Sequence, residues 1–414
     1  MSPHRQLQRR LGVVDATAIG LGSMLGAGVF VVFAPAAGLA GNFLVLAVLL
    51  AGAVAYCNAV ASAELAAKYP ASGGTYVYGR KRLGEWPGFL AGWGFVTGKT
   101  ASCAAMALTF GYYAAPSYAV PIAIAAVVAL TAVNLFGITR TALLTKILLG
   151  IVVATLAFVA AAAILGPHPA GAVAGPAPAG GIGGVLPAAG LMFFAFAGYA
   201  RIATLGEEVR DPAKTIPRAI LAALAGAFVI YLAMAVLLLS HLPDGRLAAS
   251  TAPLLDAVSS SRLGAGAPLV QAGAAAACLG ALLALITGIG RTALAMARER
   301  DLPGPLARVG GKHTVPYVAE LSEAAAVVLL LLTTDVMTVV GFSSFGVLIY
   351  YAVANAAAYT LEEHPAHAPK WLNVAGFFSC LLLAFTLPPA SVLGMAAVLA
   401  AGAAGRFLVL RLRR

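Results

Sequence analysis

Residues 18–30 read AIGLGSMLGAGVF. Gly20, Gly22, Gly26 and Gly28 interrupt a run that is otherwise apolar. Glycine inside a helix costs about 1 kcal/mol relative to alanine. The stretch is therefore a poor continuous helix inside a segment apolar enough to be one. Whether the interruption is a packing device or a deliberate break decides the fold.

The rest of the chain supplies the setting. Of 414 residues, 61% are hydrophobic and 10% charged. A soluble domain carries about 25% charged residues, so this surface must face lipid. The first ten residues, MSPHRQLQRR, are polar and basic. The run that follows is too long and too glycine-interrupted for a cleavable signal peptide, and none is expected. Twelve apolar segments follow, at about 13–38, 42–66, 86–115, 118–137, 142–165, 185–206, 217–241, 266–298, 318–335, 337–359, 371–388 and 391–410. Each is long enough to be read as a span. Only the short polar TTD at 333–335 separates the ninth from the tenth.

The net charge of +11 follows from topology. With the N-terminus placed in the cytoplasm, the basic residues fall on inner loops or span ends, except Lys99, Arg201, Arg246 and Arg262. This is the positive-inside pattern, and it removes the reason to invoke nucleic acid. An even number of spans puts both termini in the cytoplasm, in a multi-pass protein of the plasma membrane. Cys57, Cys103, Cys278 and Cys380 sit in apolar stretches without CxxC spacing and read as small buried hydrophobes. Asp15, Glu64 and Glu320 fall near inner span ends, which leaves no acidic residue expected at mid-membrane depth.

A second interruption, FFAFAGYA (193–200), follows a Pro/Gly/Ala-rich outer connector at 166–184. The two interrupted segments are each first in a group of five spans. An odd number of spans per group inverts the second group relative to the first. Paired interrupted helices in inverted repeats point to a transporter's binding site. Non-helical backbone at membrane depth is tolerated where protein encloses it or it lines a cavity. Freed N–H groups at a half-helix start suit a carboxylate, and freed carbonyls suit an ammonium. Glycine allows close approach because it has no Cβ. Two plainer readings compete. Gly22-x-x-x-Gly26 is also a helix-packing motif. Gly20-x-Gly22 with Gly26 mimics a dinucleotide fingerprint, but no strand precedes it and no acidic residue lies about 20 positions on.

With GSMLGAGVF (22–30), FFAFAGYARIATLGEEVRDPAKTIPRAI (193–220) and RTALAMARERDLP (291–303) in view, the chain resembles the amino acid–polyamine–organocation (APC) superfamily. The resemblance covers nearly the whole chain in span number and order. It implies an all-α polytopic membrane protein of about twelve transmembrane helices, with a five-plus-five inverted repeat of the LeuT type and two C-terminal helices. The expected divisions are a cytoplasmic tail (1–12), repeat one (13–165), the extracellular loop (166–184), repeat two (185–360), and the last two spans with a basic tail (361–414). By matching motifs, the amides of Gly26, Ala27 and Gly28 would hold a substrate carboxylate. The carbonyls of Met24, Phe194, Ala195 and Ala197 would receive its amino group. Phe196 and Tyr199 are candidates to line or gate the pocket, with core packing as the alternative.

The family's proton-coupled members carry a lysine in the fifth helix. Here the matching position is closer to Val152, and Lys146 falls too early, where snorkelling is expected. Lys99 stands thirteen residues past Trp86, roughly 20 Å into its helix. An ionisable group at that depth is a functional candidate by default. It is read as the coupling cation, against a structural bond to broken-helix carbonyls or direct substrate contact. Arg201 is never neutral and so cannot carry the proton. An inner-gate pair with Glu207 or Glu208 is expected, against substrate contact. Arg291 and Arg298 are expected to tie inner-gate loops.

These residues support a secondary active amino acid permease, either a proton symporter or an exchanger. Neutral or acidic amino acids are favoured over cationic ones. A carrier of another amine or organic acid, or a non-transporting sensor, is the alternative. A channel would show a polar pore helix or filter, and an enzyme clustered catalytic groups. All six histidines are read as lying in tails or loops, and none shows metal spacing. No bound cofactor or metal is expected; the proton gradient, or sodium, is the expected energy source. The expected partners are a small amino acid and the bilayer.

Overall fold

The computed structural model describes residues 11–70, 73–135, 141–165, 181–203, 209–242, 245–310, 315–364 and 368–412. Long apolar runs without interior proline fold as single helices, and the exceptions fall where the sequence is broken. The first segment gives three pieces: α1 (Val13–Met24), α2 (Ala27–Val31) and α3 (Phe33–Ala40). Then come α4 (Leu44–Lys68), the short α5 (Thr75–Leu83), α6 (Glu85–Ala114), α7 (Ala119–Leu135) and α8 (Thr141–Leu165). The second interrupted segment gives α9 (Val185–Phe196), a 3₁₀ turn at Ala197–Tyr199 and α10 (Ala200–Ala203). The chain continues with α11 (Pro212–His241), the short α12 (Arg246–Ala249) and α13 (Pro253–Ser259), and α14 (Ala267–Arg298). The last four helices are α15 (Tyr317–Thr333), α16 (Val336–Tyr359), α17 (Lys370–Thr386) and α18 (Pro389–Leu412).

Among the described residues, nine helical stretches are long and apolar enough to cross a bilayer. The thirty-residue α6 and the seventeen-residue α15 and α17 complete the twelve expected spans. The TTD boundary is real: Asp335 caps α16, accepting from the Thr338 amide at 2.9 Å, which satisfies an otherwise orphaned donor. The seventh span, α11, starts earlier than expected. Pro212 occupies its first position, where a missing N–H costs nothing, and Pro217 falls inside it.

The packing repeats itself when the first five spans are exchanged for the second five. The helix α1 packs on α11, and α9 packs on α4. In the same way α1·α8 matches α9·α16, α6·α7 matches α14·α15, and α7·α14 matches α15·α6. The pairs α4·α11 and α6·α14 are their own counterparts. Even the short helices correspond, since α5 lies on α6 and α16 while α13 lies on α14 and α8. Most of α16 is buried and most of α18 is exposed, so α16 belongs to the core and α18 to its rim.

Candidate functional site

The two interruptions meet each other. After Met24 the chain leaves helical geometry at Leu25 and Gly26 and resumes at Ala27. The first amides of a restarted helix have no partner within it. The second interruption is milder than the first, a single 3₁₀ turn, a form that often marks a hinge. At Gly28 a Cβ would lie 2.8 Å from the Ala195 Cα, and at Gly198 one would lie 2.5 Å from the Ser23 carbonyl carbon. Both positions need glycine because backbone presses on backbone. Gly26 faces Ala281 of α14.

The carbonyls expected to receive an ammonium already have donors. The Tyr231 hydroxyl of α11 lies 2.6 Å from the Met24 oxygen and 3.0 Å from the Ala195 oxygen, so one hydroxyl staples both broken segments. The Lys99 Nζ donates to the Ala197 oxygen at 3.3 Å, and the Tyr351 hydroxyl of α16 donates to the same oxygen at 3.5 Å. Phe194 is buried. Phe196 meets Tyr231 edge-on with ring centroids 4.9 Å apart, and Tyr199 lies against Tyr351 at 5.2 Å. Both rings are fully buried and packed. Tyr231 and Tyr351 were not legible as site residues, because nothing local distinguishes them from other span tyrosines.

Lys99 is buried, as its depth predicted. One turn along α6, the Cys103 Sγ lies 3.5 Å from Glu323 Oε1 of α15. Glu323 is 6% exposed. Glu323 is thus a buried acidic residue that the sequence alone did not single out, and Cys103 is more than a small hydrophobe. Cys380 likewise meets Asn58 Oδ1 at 3.2 Å. The four cysteines are free thiols. Among the described residues no group of histidine, cysteine and acidic side chains could hold a metal ion.

Val152, the residue expected nearest the family's coupling-lysine position, is buried on α8. It lines a cavity of about 20 Å³ with Gly22, Ser23, Ala277 and Ala281, between α1, α8 and α14. Lys146 forms an ion pair with Asp15 at the start of α1, a partner that snorkelling did not anticipate. Arg201 faces Gly288 of α14. Its expected partners Glu207 and Glu208 lie outside the described residues. His241 is not in a loop: it ends α11 and is buried.

The end of the bundle where basic residues gather is tied by Asp301. Its carboxylate accepts from the Tyr76 hydroxyl at 2.8 Å, Arg80 Nη1 at 3.0 Å and Arg406 Nε at 2.8 Å. Glu85 pairs with Arg406 at 3.1 Å, and the Arg406 guanidinium lies 4.6 Å over the Trp86 ring. Burial, and then the Asp301 carboxylate, push the Tyr76 phenol well above its ordinary range, so it remains a donor. Arg80 and Arg406 tie this end together through Asp301 and Glu85. The Arg291 charge also reaches Glu320 of α15. Beside this network, Arg210 N–H donates to the Leu11 carbonyl at 2.9 Å, joining the start of α1 to the start of α11.

Known proteins agree with this architecture. The profile of the family described as "Amino acid permease" matches residues 11–403. An uncharacterised transporter of Mycobacterium tuberculosis is 54% identical over 96% of this chain and 91% of its own length. The branched-chain amino acid permease BcaP of Bacillus subtilis is 26% identical over 91% of this chain and 85% of its own. Cationic amino acid transporter 7 of Arabidopsis thaliana is 28% identical over 92% of this chain and 71% of its own. By the family profile that matches nearly its whole length and by its identity to named transporters, this chain belongs to the amino acid permease family of the APC superfamily and is a transporter, not an enzyme.

Proposed function

We propose that the chain is a secondary active carrier of amino acids in the plasma membrane, working by alternating access with both termini cytoplasmic. The observation that carries this reading is the backbone crossing of the two breaks, with the carbonyls of Met24, Ala195 and Ala197 already serving as acceptors. A zwitterion offers an ammonium to those carbonyls and a carboxylate to the amides of Gly26, Ala27 and Gly28. Neutral or acidic amino acids are favoured over cationic ones, because the Lys99 ammonium lies on the Ala197 carbonyl and opposes a second cation. The relatives' names cover both classes, a branched-chain permease and a cationic amino acid transporter, so the choice rests on Lys99. Lys99 is the coupling residue, and protons drive accumulation. Val152 and the other residues that line the small cavity between α1, α8 and α14 are uncharged.

Counterflow in proteoliposomes tests this. Vesicles are preloaded with unlabelled amino acids, and labelled leucine, glutamate or arginine is added singly. The tests are repeated with a pH gradient and with sodium. Accumulation of leucine or glutamate, but not arginine, is expected. Lys99→Met should abolish the response to the pH gradient, and an unchanged response overturns its coupling role. Flux of arginine alone overturns the substrate class, and no flux of any amino acid overturns the carrier reading.

A further inference from the structure

We propose that Lys99 and Glu323 form a buried acid–base pair that holds the transported proton, with Glu320 as its route to the basic end. The inference rests on the carrier reading above and adds to it a second group and a path.

The placement is geometric. Lys99, Cys103, Glu320 and Glu323 are all buried, at 5%, 0%, 1% and 6% exposure. Lys99 and Cys103 are four residues apart on α6 and share a face, with side-chain origins about 5–6 Å apart. Cys103 touches Glu323. A lysine stem covers the distance of one helical turn, so two seats are proposed for the Lys99 ammonium. One is the Ala197 carbonyl, where it now lies; the other is the Glu323 carboxyl beyond Cys103. Glu320 is three residues before Glu323 on α15, on the same face and nearer the basic end. Glu323 Oε2 and Glu320 Oε2 are both buried and make no hydrogen bond among the described residues. A buried carboxylate without a donor is costly, and a proton on the carboxyl removes its charge.

Among the described residues, few other charged or titratable groups face the pair. From α6 the facing groups are Lys99 and Cys103, and from α15 itself Glu320. From α14 it is Arg291, which acts on Glu320. The helix α7, packed on the other side of α15, carries no ionisable side chain.

The proton balance is simple. With one proton between them, Lys99 and Glu323 are neutral as a pair, either amine with carboxylic acid or ammonium with carboxylate. A second proton makes the pair an ammonium and a carboxylic acid, with net charge +1. That proton enters when the site faces one side. It leaves by passing from Glu323 to Glu320 and on to water at the basic end, where Arg291 stabilises the departing state as a carboxylate. Only N–H and O–H bonds form and break.

The test uses full-length protein in proteoliposomes with a labelled mixture of the twenty common amino acids, comparing wild type, Glu323→Gln and Glu323→Asp. Two readouts are taken: exchange at equal pH, and accumulation under a one-unit inward pH gradient. One coupled proton supports about tenfold accumulation per pH unit, the equivalent of about 1.4 kcal/mol. Wild type should reach that ratio. Glu323→Gln should keep exchange and fall to a ratio of about one, and Glu323→Asp should recover accumulation. Accumulation unchanged in Glu323→Gln overturns the proposal. So does loss of exchange together with accumulation in that variant, which marks Glu323 as structural, or a wild type that exchanges without responding to pH. A wild type that exchanges nothing overturns the carrier reading instead.

Discussion

A methyl group on Gly198 would lie 2.5 Å from the Ser23 carbonyl carbon and 2.6 Å from the Met24 nitrogen. Neither atom belongs to a side chain that can turn away. Overpacking of this kind costs about 1–3 kcal/mol, so Gly198→Ala should lower the initial counterflow rate about tenfold. Gly150→Ala, where nothing lies within 4 Å, should leave the rate unchanged. Equal rates in both variants would show that the crossing tolerates displacement. Tyr231→Phe removes the donor shared by the Met24 and Ala195 carbonyls. Leaving buried acceptors unmade costs about 1–3 kcal/mol, so the Tm in detergent should fall. The same change removes a competitor for the substrate ammonium, so KM should fall as well. A raised KM would place the hydroxyl among the substrate's own contacts. Much at this scale was legible in the sequence. Gly26, Gly28 and the 193–200 stretch stand out because glycine inside an apolar span calls for an explanation. Glu323 did not stand out, since its meaning depends on Cys103, 220 residues away in sequence.

At the scale of elements, α18 poses the question of what holds an outer helix to the bundle. Most of α18 is exposed, yet Arg406 is buried and bonded to Asp301 while resting on Trp86. Breaking a buried ion pair by removing one partner costs about 3–5 kcal/mol. Arg406→Ala should therefore lower the Tm strongly and expose the junction of α6 and α18 to proteolysis. Arg411→Ala, on an exposed turn over Phe407, should do neither. Similar Tm values for the two variants would show that lipid contact alone seats α18. Helix number and order were readable because hydropathy fixes spans. The partners of each helix were not, because lipid-facing and helix-facing residues have the same composition. The Asp301 cluster draws on α5, α6 and α18 together, and no local pattern announces that.

For the whole molecule, the sequence predicts that the basic end is cytoplasmic. Single cysteines in a background without Cys57, Cys103, Cys278 and Cys380 test this in intact cells. Ser261→Cys, beside Arg262 between α13 and α14, should react with an impermeant maleimide from outside. Glu363→Cys, between α16 and α17, should react only after the cells are opened. The reverse pattern would invert the topology. The exchange of halves was anticipated from the count of five spans before the second break. The packing matches it pair by pair, from α1·α11 with α9·α4 to α6·α7 with α14·α15.

The hydrogen bond from Arg210 to Leu11 and the ion pair of Asp15 with Lys146 together form a clasp on α1. Each such contact is worth about 1 kcal/mol in partly exposed surroundings. A clasp of that strength is easily unfastened: a ligand that binds the unfastened form about tenfold more tightly supplies about 1.4 kcal/mol toward releasing it. Removal of residues 1–11 would then act as a spring release, raising the resting share of molecules open at that end without touching the substrate's own contacts.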